Sequence, residues 1–94
     1  MEFTHDRDQH CYQAWEAGAL VGELHYRLSG TVADFDHTSV PPEHEGKGIA
    51  GRLVQFAMDD VRADGSWRIT ATCPYVVRWL ERHPDYADLA VEAD

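Results

Sequence analysis

An α+β fold, with a mainly antiparallel sheet of about four strands and two covering helices, is predicted by three features of the sequence. Apolar and polar residues alternate with period two from Leu20 to Leu28. A Pro41-Pro42 step ends the extended run that follows, and from Gly48 the apolar spacing becomes that of a helix. After Asp64-Gly65 the alternation returns, and Pro74 opens a second helical segment. Successive strands, then helix, strand and helix, make a sheet with helices laid over it.

Taken in order, Cys11 to Trp15 mixes polar and apolar residues, and Glu16-Ala17-Gly18 supplies a turn, so a hairpin joins it to the next segment. There Leu20, Gly22, Leu24, Tyr26 and Leu28 share one face, while Glu23, His25 and Arg27 take the other. Ser29-Gly30 turns the chain into an extended run, Thr31 to Val40, with Ala33, Phe35, His37 and Ser39 pointing one way. Pro41 and Pro42 have no N–H for a sheet ladder, and the residue before a proline avoids helical angles, so the chain leaves the sheet there.

Ile49, Leu53, Phe56, Ala57 and Val61 fall on one stripe of the first helix, with Arg52, Gln55, Asp59 and Arg62 opposite. Asp64-Gly65 ends it. Ser66 to Cys73 forms another strand, with Trp67, Ile69, Ala71 and Cys73 alternating against Arg68, Thr70 and Thr72. In the helix opened by Pro74, Val76, Val77 and Leu80 supply the core face, and His83-Pro84 closes it with His83 as a cap. The acidic tail, Asp85 to Asp94, is expected to fray.

Ninety-four residues with a 44% apolar share allow one hydrophobic core, hence a single domain over residues 1–94 with its core at about 10–89. Cys11 and Cys73 form no C-x-x-C pair, and His5, His10, His25 and His44 form no H-x-x-x-H or Cys/His cluster, so neither a disulfide scaffold nor a metal site is expected. The first residues lack the basic and apolar stretches of a secretory signal and no run is long enough to cross a bilayer, so a cytoplasmic protein without membrane contact is expected. The net charge of -9 repels nucleic acid phosphate and anionic lipid and suits a cationic partner. Trp15, Trp67 and Trp79 are read as packing residues rather than base-stacking platforms.

Between the prolines and the helix lies Glu43-His44-Glu45-Gly46-Lys47-Gly48-Ile49-Ala50. The first turn of a helix leaves its N–H groups unpaired at the positive end of its dipole, and glycines let the backbone lie against phosphate oxygens. Lys47 and Arg52 can add charge to the same anion.

The segment Glu43 to Gly48 aligns with the R/Q-x-x-G-x-G/A acyl-CoA loop of the GCN5-related N-acetyltransferases, Glu43 standing where Arg or Gln is usual. His37-Thr38-Ser39-Val40-Pro41, Gly46-Lys47-Gly48-Ile49-Ala50, Cys73-Pro74-Tyr75-Val76 and Arg82-His83-Pro84-Asp85-Tyr86 follow in order. From about Cys11 to Leu89 the chain thus resembles a short single-domain branch of that superfamily, the YjdJ-like or NATD1-like group. The resemblance implies a minimal version of the family fold, with strands splayed at a site for acetyl-CoA or CoA. It implies that the pantetheine arm lies between Thr31–Val40 and Ser66–Cys73, pairing as an added strand with backbone near Thr38, Ser39 and Val40. Glu45, Gly46, Lys47, Gly48, Ile49 and Ala50 would hold the phosphates, and the thioester would lie near His37 and Cys73.

The implied activity is transfer of acetyl from acetyl-CoA to a primary amine of a protein or small molecule, the acidic surface favouring a cationic acceptor. The alternative is a non-catalytic acyl-CoA-binding sensor or interaction module, because the chain lacks the added helices and strands that build the acceptor site in typical members. The chain is expected as a monomer or weak homodimer. Cys73 precedes a proline at the first helical position, a place that lowers a thiol pKa; its thiolate would attack acetyl-CoA or simply shape the pocket. His37 is the expected proton acceptor for the amine or for Cys73, or else a hydrogen-bonded structural residue.

Overall fold

The computed structural model describes residues 1–91. Five strands form one sheet in the order β1-β2-β3-β4-β5: β1 Glu2–Asp6, β2 Cys11–Glu16, β3 Ala19–Ser29, β4 Val32–Ser39 and β5 Arg68–Ala71. The first four pair antiparallel, whereas β4 and β5 are parallel and are joined through the helix α1, Ile49–Asp64. A second helix, α2, spans Pro74–Arg82, and 3-10 turns occupy Pro42–His44 and Pro84–Leu89. The α+β class holds, with five strands in place of the expected four. The added strand is β1, whose short mixed sequence shows little alternation and is fixed by its pairing with β2. No helix among the described residues is long and apolar enough to cross a membrane.

α1 buries Ile49, Leu53, Val54, Ala57, Met58 and Val61 against the sheet, the larger side chains contributing about 1.5–3 kcal/mol each. Gly65 ends it in the left-handed conformation, φ 74°, donating its N–H to Val61 O. Beneath the helix, His5 stacks on Tyr12 with ring centroids 4.0 Å apart. Tyr26 OH donates to His5 Nε2 at 2.6 Å, and Asp60 accepts from His5 Nδ1 at 3.1 Å and from Tyr12 OH at 2.8 Å.

Two irregularities in the ladders change which residues face the core. Between β2 and β3, Ala14 pairs with Gly22 but Trp15 with Leu20, so Val21 is the extra residue of a bulge. Val21 is buried, while Leu20, expected on the face of Leu24 and Tyr26, is 38% exposed. Between β3 and β4, Tyr26 pairs with Phe35 but His25 with His37, leaving Asp36 as the extra residue. A bulge reverses the alternation beyond it. His37 therefore leaves the Phe35 face, is exposed and stands beside His25, while Thr38, paired with the buried Leu24, takes the α1 side.

Other expectations are corrected nearby. β5 covers only Arg68–Ala71, because Thr72 and Cys73 both donate their N–H to Phe35 O and the chain turns into α2. In α2 the buried residues are Val76 and Trp79, not Val77, which is exposed. The stripe 76-79-80-83 fits helical spacing and ends in His83, whose ring lies 3.9 Å from that of Trp79 and whose Nδ1 donates to Trp79 O at 2.7 Å, a capping role as expected. Through Val91 the segment expected to fray packs against the core. Leu89 is buried, Ala90 bridges Ile69, and Arg62 pairs with Asp88 at 2.9 Å. The rest of the expected fraying segment, Glu92 to Asp94, lies outside the described residues.

Candidate functional site

β4 and β5 run together only as far as Phe35 and Ala71. Phe35 O accepts the N–H groups of both Thr72 and Cys73 at 3.1 Å, so one carbonyl closes the ladder and β5 bends away. Beyond it the β5 side of β4, from Asp36 to Ser39, has no strand partner among the described residues. The splay therefore opens toward Thr38, Ser39 and Val40, which are half-buried.

The next residues form the loop. His44 N–H donates to Pro41 O and Glu45 N–H to Pro42 O, while the first α1 bond runs from Arg52 N–H to Gly48 O. The amides of Gly46, Lys47, Gly48, Ile49, Ala50 and Gly51 have no backbone partner among the described residues. Glu45 lines the loop with its own amide already engaged. Gly46 and Gly48 have φ 84° and 75°, and a Cβ on either would meet no atom within 4 Å. The conformation favours glycine, and the space beside it is open. Val40, His44, Gly48, Ile49, Ala50 and Tyr75 line a groove of about 210 Å³ here. Lys47 Nζ lies 3.2 Å from His44 Nδ1.

At the inner end of the splay stands Cys73, the residue preceding α2, 7% exposed, with Sγ 3.4 Å from Thr38 Oγ1. Burial alone would raise its pKa. The Thr38 hydroxyl and the backbone N–H groups of Val76, Tyr75 and Thr38 outweigh that, and the thiol lies below its ordinary value of 9.0. No full cap bond closes from the sulfur, so the helical amides act on it as dipoles. Cys11 behaves oppositely, pushed up to about 11 by burial and then by the charge of Glu23. The expected His37–Cys73 pair does not form, since the β4 bulge puts Thr38 where His37 was expected.

Gly48 and Tyr75 also border a second cleft, about 400 Å³, between α1 and α2. Its lining includes Arg52, Arg78, Arg82 and His83. Among the described residues none of the three arginines forms an ion pair, although acidic residues outnumber basic ones by 17 to 8. The sequence reading included Arg52 and missed Arg78 and Arg82. Their four-residue spacing on the polar face of α2 was the available signal, but only packing against α1 makes it a cleft wall.

The family model of GCN5-related N-acetyltransferases matches residues 11–89. Protein NATD1 of Bos taurus is 34% identical over 61 residues, 65% of this chain and 53% of that protein. The Homo sapiens NATD1 is 30% identical over the same length, so the chain spans about half of these relatives. A GCN5-like protein from Staphylococcus aureus superposes with a TM-score of 0.72 at 21% identity, covering 99% of this chain and 90% of that one. Ribosomal-protein-alanine N-acetyltransferase from Brucella melitensis gives 0.55 at 24% identity, covering 94% and 66%. At these identities the two structures bear on the fold alone, and it is the family match over residues 11–89 that assigns the chain to the GCN5-related N-acetyltransferase family.

Proposed function

We propose that the chain transfers an acetyl group from acetyl-CoA to a primary amine of a protein or small molecule. The observation that carries this reading is the opening of β4 from β5 beyond Phe35, flanked by unpaired amides from Gly46 to Gly51 and ending at the Cys73 thiol. Backbone groups of Thr38, Ser39 and Val40 suit the amides of a pantetheine arm, which adds to β4 as a short strand. The loop and first-turn amides suit a diphosphate, and Arg52, Arg78 and Arg82 suit the phosphorylated adenosine end.

Acetyl-CoA supplies an activated thioester. Cys73, held toward thiolate by Thr38 and the first-turn dipoles, attacks the carbonyl carbon. Its sulfur–carbon bond forms as that of CoA breaks, and the CoA thiolate takes a proton from solvent. A neutral amine then attacks acetyl-Cys73, the carbon–nitrogen bond forms, the carbon–sulfur bond breaks, and the nitrogen's proton passes to the Cys73 sulfur. His37, on the opposite sheet face, has no part in this route.

One observation favours the second reading, a sensor that binds acyl-CoA without turnover. Among the described residues the only side-chain hydrogen-bond partner of Cys73 is Thr38, with no histidine or carboxylate beside it. A thermal-shift titration with CoA comes first, since a ligand that binds the folded chain raises its midpoint. No shift at about millimolar CoA would defeat both readings. Intact mass after incubation with acetyl-CoA then decides: an adduct lost in Cys73→Ala and discharged by amines supports the route above. Amine acetylation that persists in Cys73→Ala means direct transfer, and binding without either product means the sensor.

A further inference from the structure

On the sheet face turned away from α1, β2 and β3 bring together three side chains that the proposed reaction does not use. Cys11 pairs with His25 across the ladder, and Glu23 lies two residues along β3 on the same face. Cys11 Sγ is 3.9 Å from Glu23 Oε1 and 3.9 Å from His25 Nε2, and Glu23 Oε1 is 3.7 Å from His25 Nε2. Triangles of this size are those made by metal ligands. The centre of one with these sides is about 2.2 Å from each corner, against zinc bond lengths of about 2.3 Å to sulfur and 2.0–2.2 Å to imidazole nitrogen or carboxylate oxygen.

We propose that Cys11, Glu23 and His25 form a zinc-binding site. One thiolate, one imidazole and one carboxylate are a donor set suited to zinc and to cobalt(II), and poorly suited to magnesium or calcium, which take all-oxygen shells. Cys11 is 1% exposed and fixed in the strand, whereas the side chains of Glu23 and His25 are 34% and 38% exposed. The two outer ligands can therefore close the few tenths of an ångström that a tetrahedral site requires, and solvent fills the fourth position. His37 stands on the same face, its ring centroid 5.8 Å from that of His25. On coordination the Cys11 proton passes to solvent. Sequence spacing conceals the site, because Cys11 and the Glu23–His25 pair are joined only by the β2–β3 register.

The test uses the full chain without a histidine tag, stripped of metal by a chelator and titrated with cobalt(II) and then zinc. One equivalent of cobalt is expected to give a near-ultraviolet thiolate-to-metal band with the intense visible bands of four-coordination, and zinc is expected to bleach both. Cys11→Ala and His25→Ala remove the thiolate band, while Cys73→Ala keeps it. His25→Ala changes a partly exposed side chain, so it carries the test if Cys11→Ala fails to fold by circular dichroism. The proposal is overturned by a wild-type chain without the band, by a band that survives His25→Ala, or by one that disappears in Cys73→Ala. None of these outcomes bears on CoA binding, which lies on the other side of the sheet.

Discussion

Thr38 Oγ1 lies 3.4 Å from Cys73 Sγ, joining the last turn of β4 pairing to the start of α2. The contact exists because Asp36 is an extra residue in β4, which turns Thr38 toward the thiol and His37 away from it. A donor hydroxyl stabilises thiolate over thiol.

Iodoacetamide is therefore expected to label Cys73 with a pH midpoint below the ordinary 9.0. Thr38→Val removes the donor and moves the midpoint upward. Cys11, held near 11 by burial and then by Glu23, stays unlabelled over the same range. Peptide mapping of the label against pH checks this, and an unchanged Cys73 midpoint in Thr38→Val would remove Thr38 from the mechanism.

Arg78→Ala and Arg82→Ala are each expected to weaken CoA binding, with little effect on the melting temperature. Hydrogen bonds to charged groups contribute about 1.5–3 kcal/mol, roughly 10- to 100-fold in Kd. Arg27→Ala is the control, since Arg27 pairs with Asp36 at 3.0 Å and is absent from the cleft lining. Calorimetry at two salt concentrations reads both the loss and its electrostatic origin; equal affinities in all three variants would place the adenosine end elsewhere.

Gly22→Ala tests how firmly the sheet positions the helix start. A Cβ there would stand 3.0 Å from Ile49 Cγ2 and 3.6 Å from Leu53 Cδ2. Overpacking of this kind costs about 1–3 kcal/mol. Because Ile49 opens α1, CoA affinity is expected to fall together with the urea midpoint, and a loss of stability with full affinity would uncouple the two.

His5 makes stability depend on pH. Burial is the main cause lowering its pKa below 6.5, outweighing the opposing pull of Asp60. The unfolded chain then binds the proton more readily than the folded one, so this contribution is fully present above 6.5 and is lost as pH falls through the lower folded value. Urea midpoints are expected to drop from pH 7 downward less steeply in His5→Gln than in the wild type. Parallel curves would assign the acid sensitivity to other groups.

Leu89→Ala is expected to cost about 2 kcal/mol or more, because Leu89 is buried in the core cluster. A frayed segment would show no change in thermal midpoint.

Much of this protein was written in local pattern. Alternation marked β3, the prolines and glycines marked the turn into α1, and helical spacing marked four of the six residues that α1 buries, Ile49, Leu53, Ala57 and Val61, because each signal arises within a few neighbouring residues; Val54 and Met58 were missed, and Phe56 is only partly buried. The loop glycines and Cys73 before Pro74 were legible for the same reason. Tertiary pairing decided the rest. β1 gains its strand identity from β2, and the bulges at Val21 and Asp36 reverse faces without any local signature, exchanging Thr38 for His37 at the thiol. Arg78 and Arg82 become a cleft wall, and Cys11 meets Glu23 and His25, only when elements distant in sequence pack. Period and turn chemistry are properties of adjacent residues, whereas register belongs to two strands at once and can be read only where both are in place.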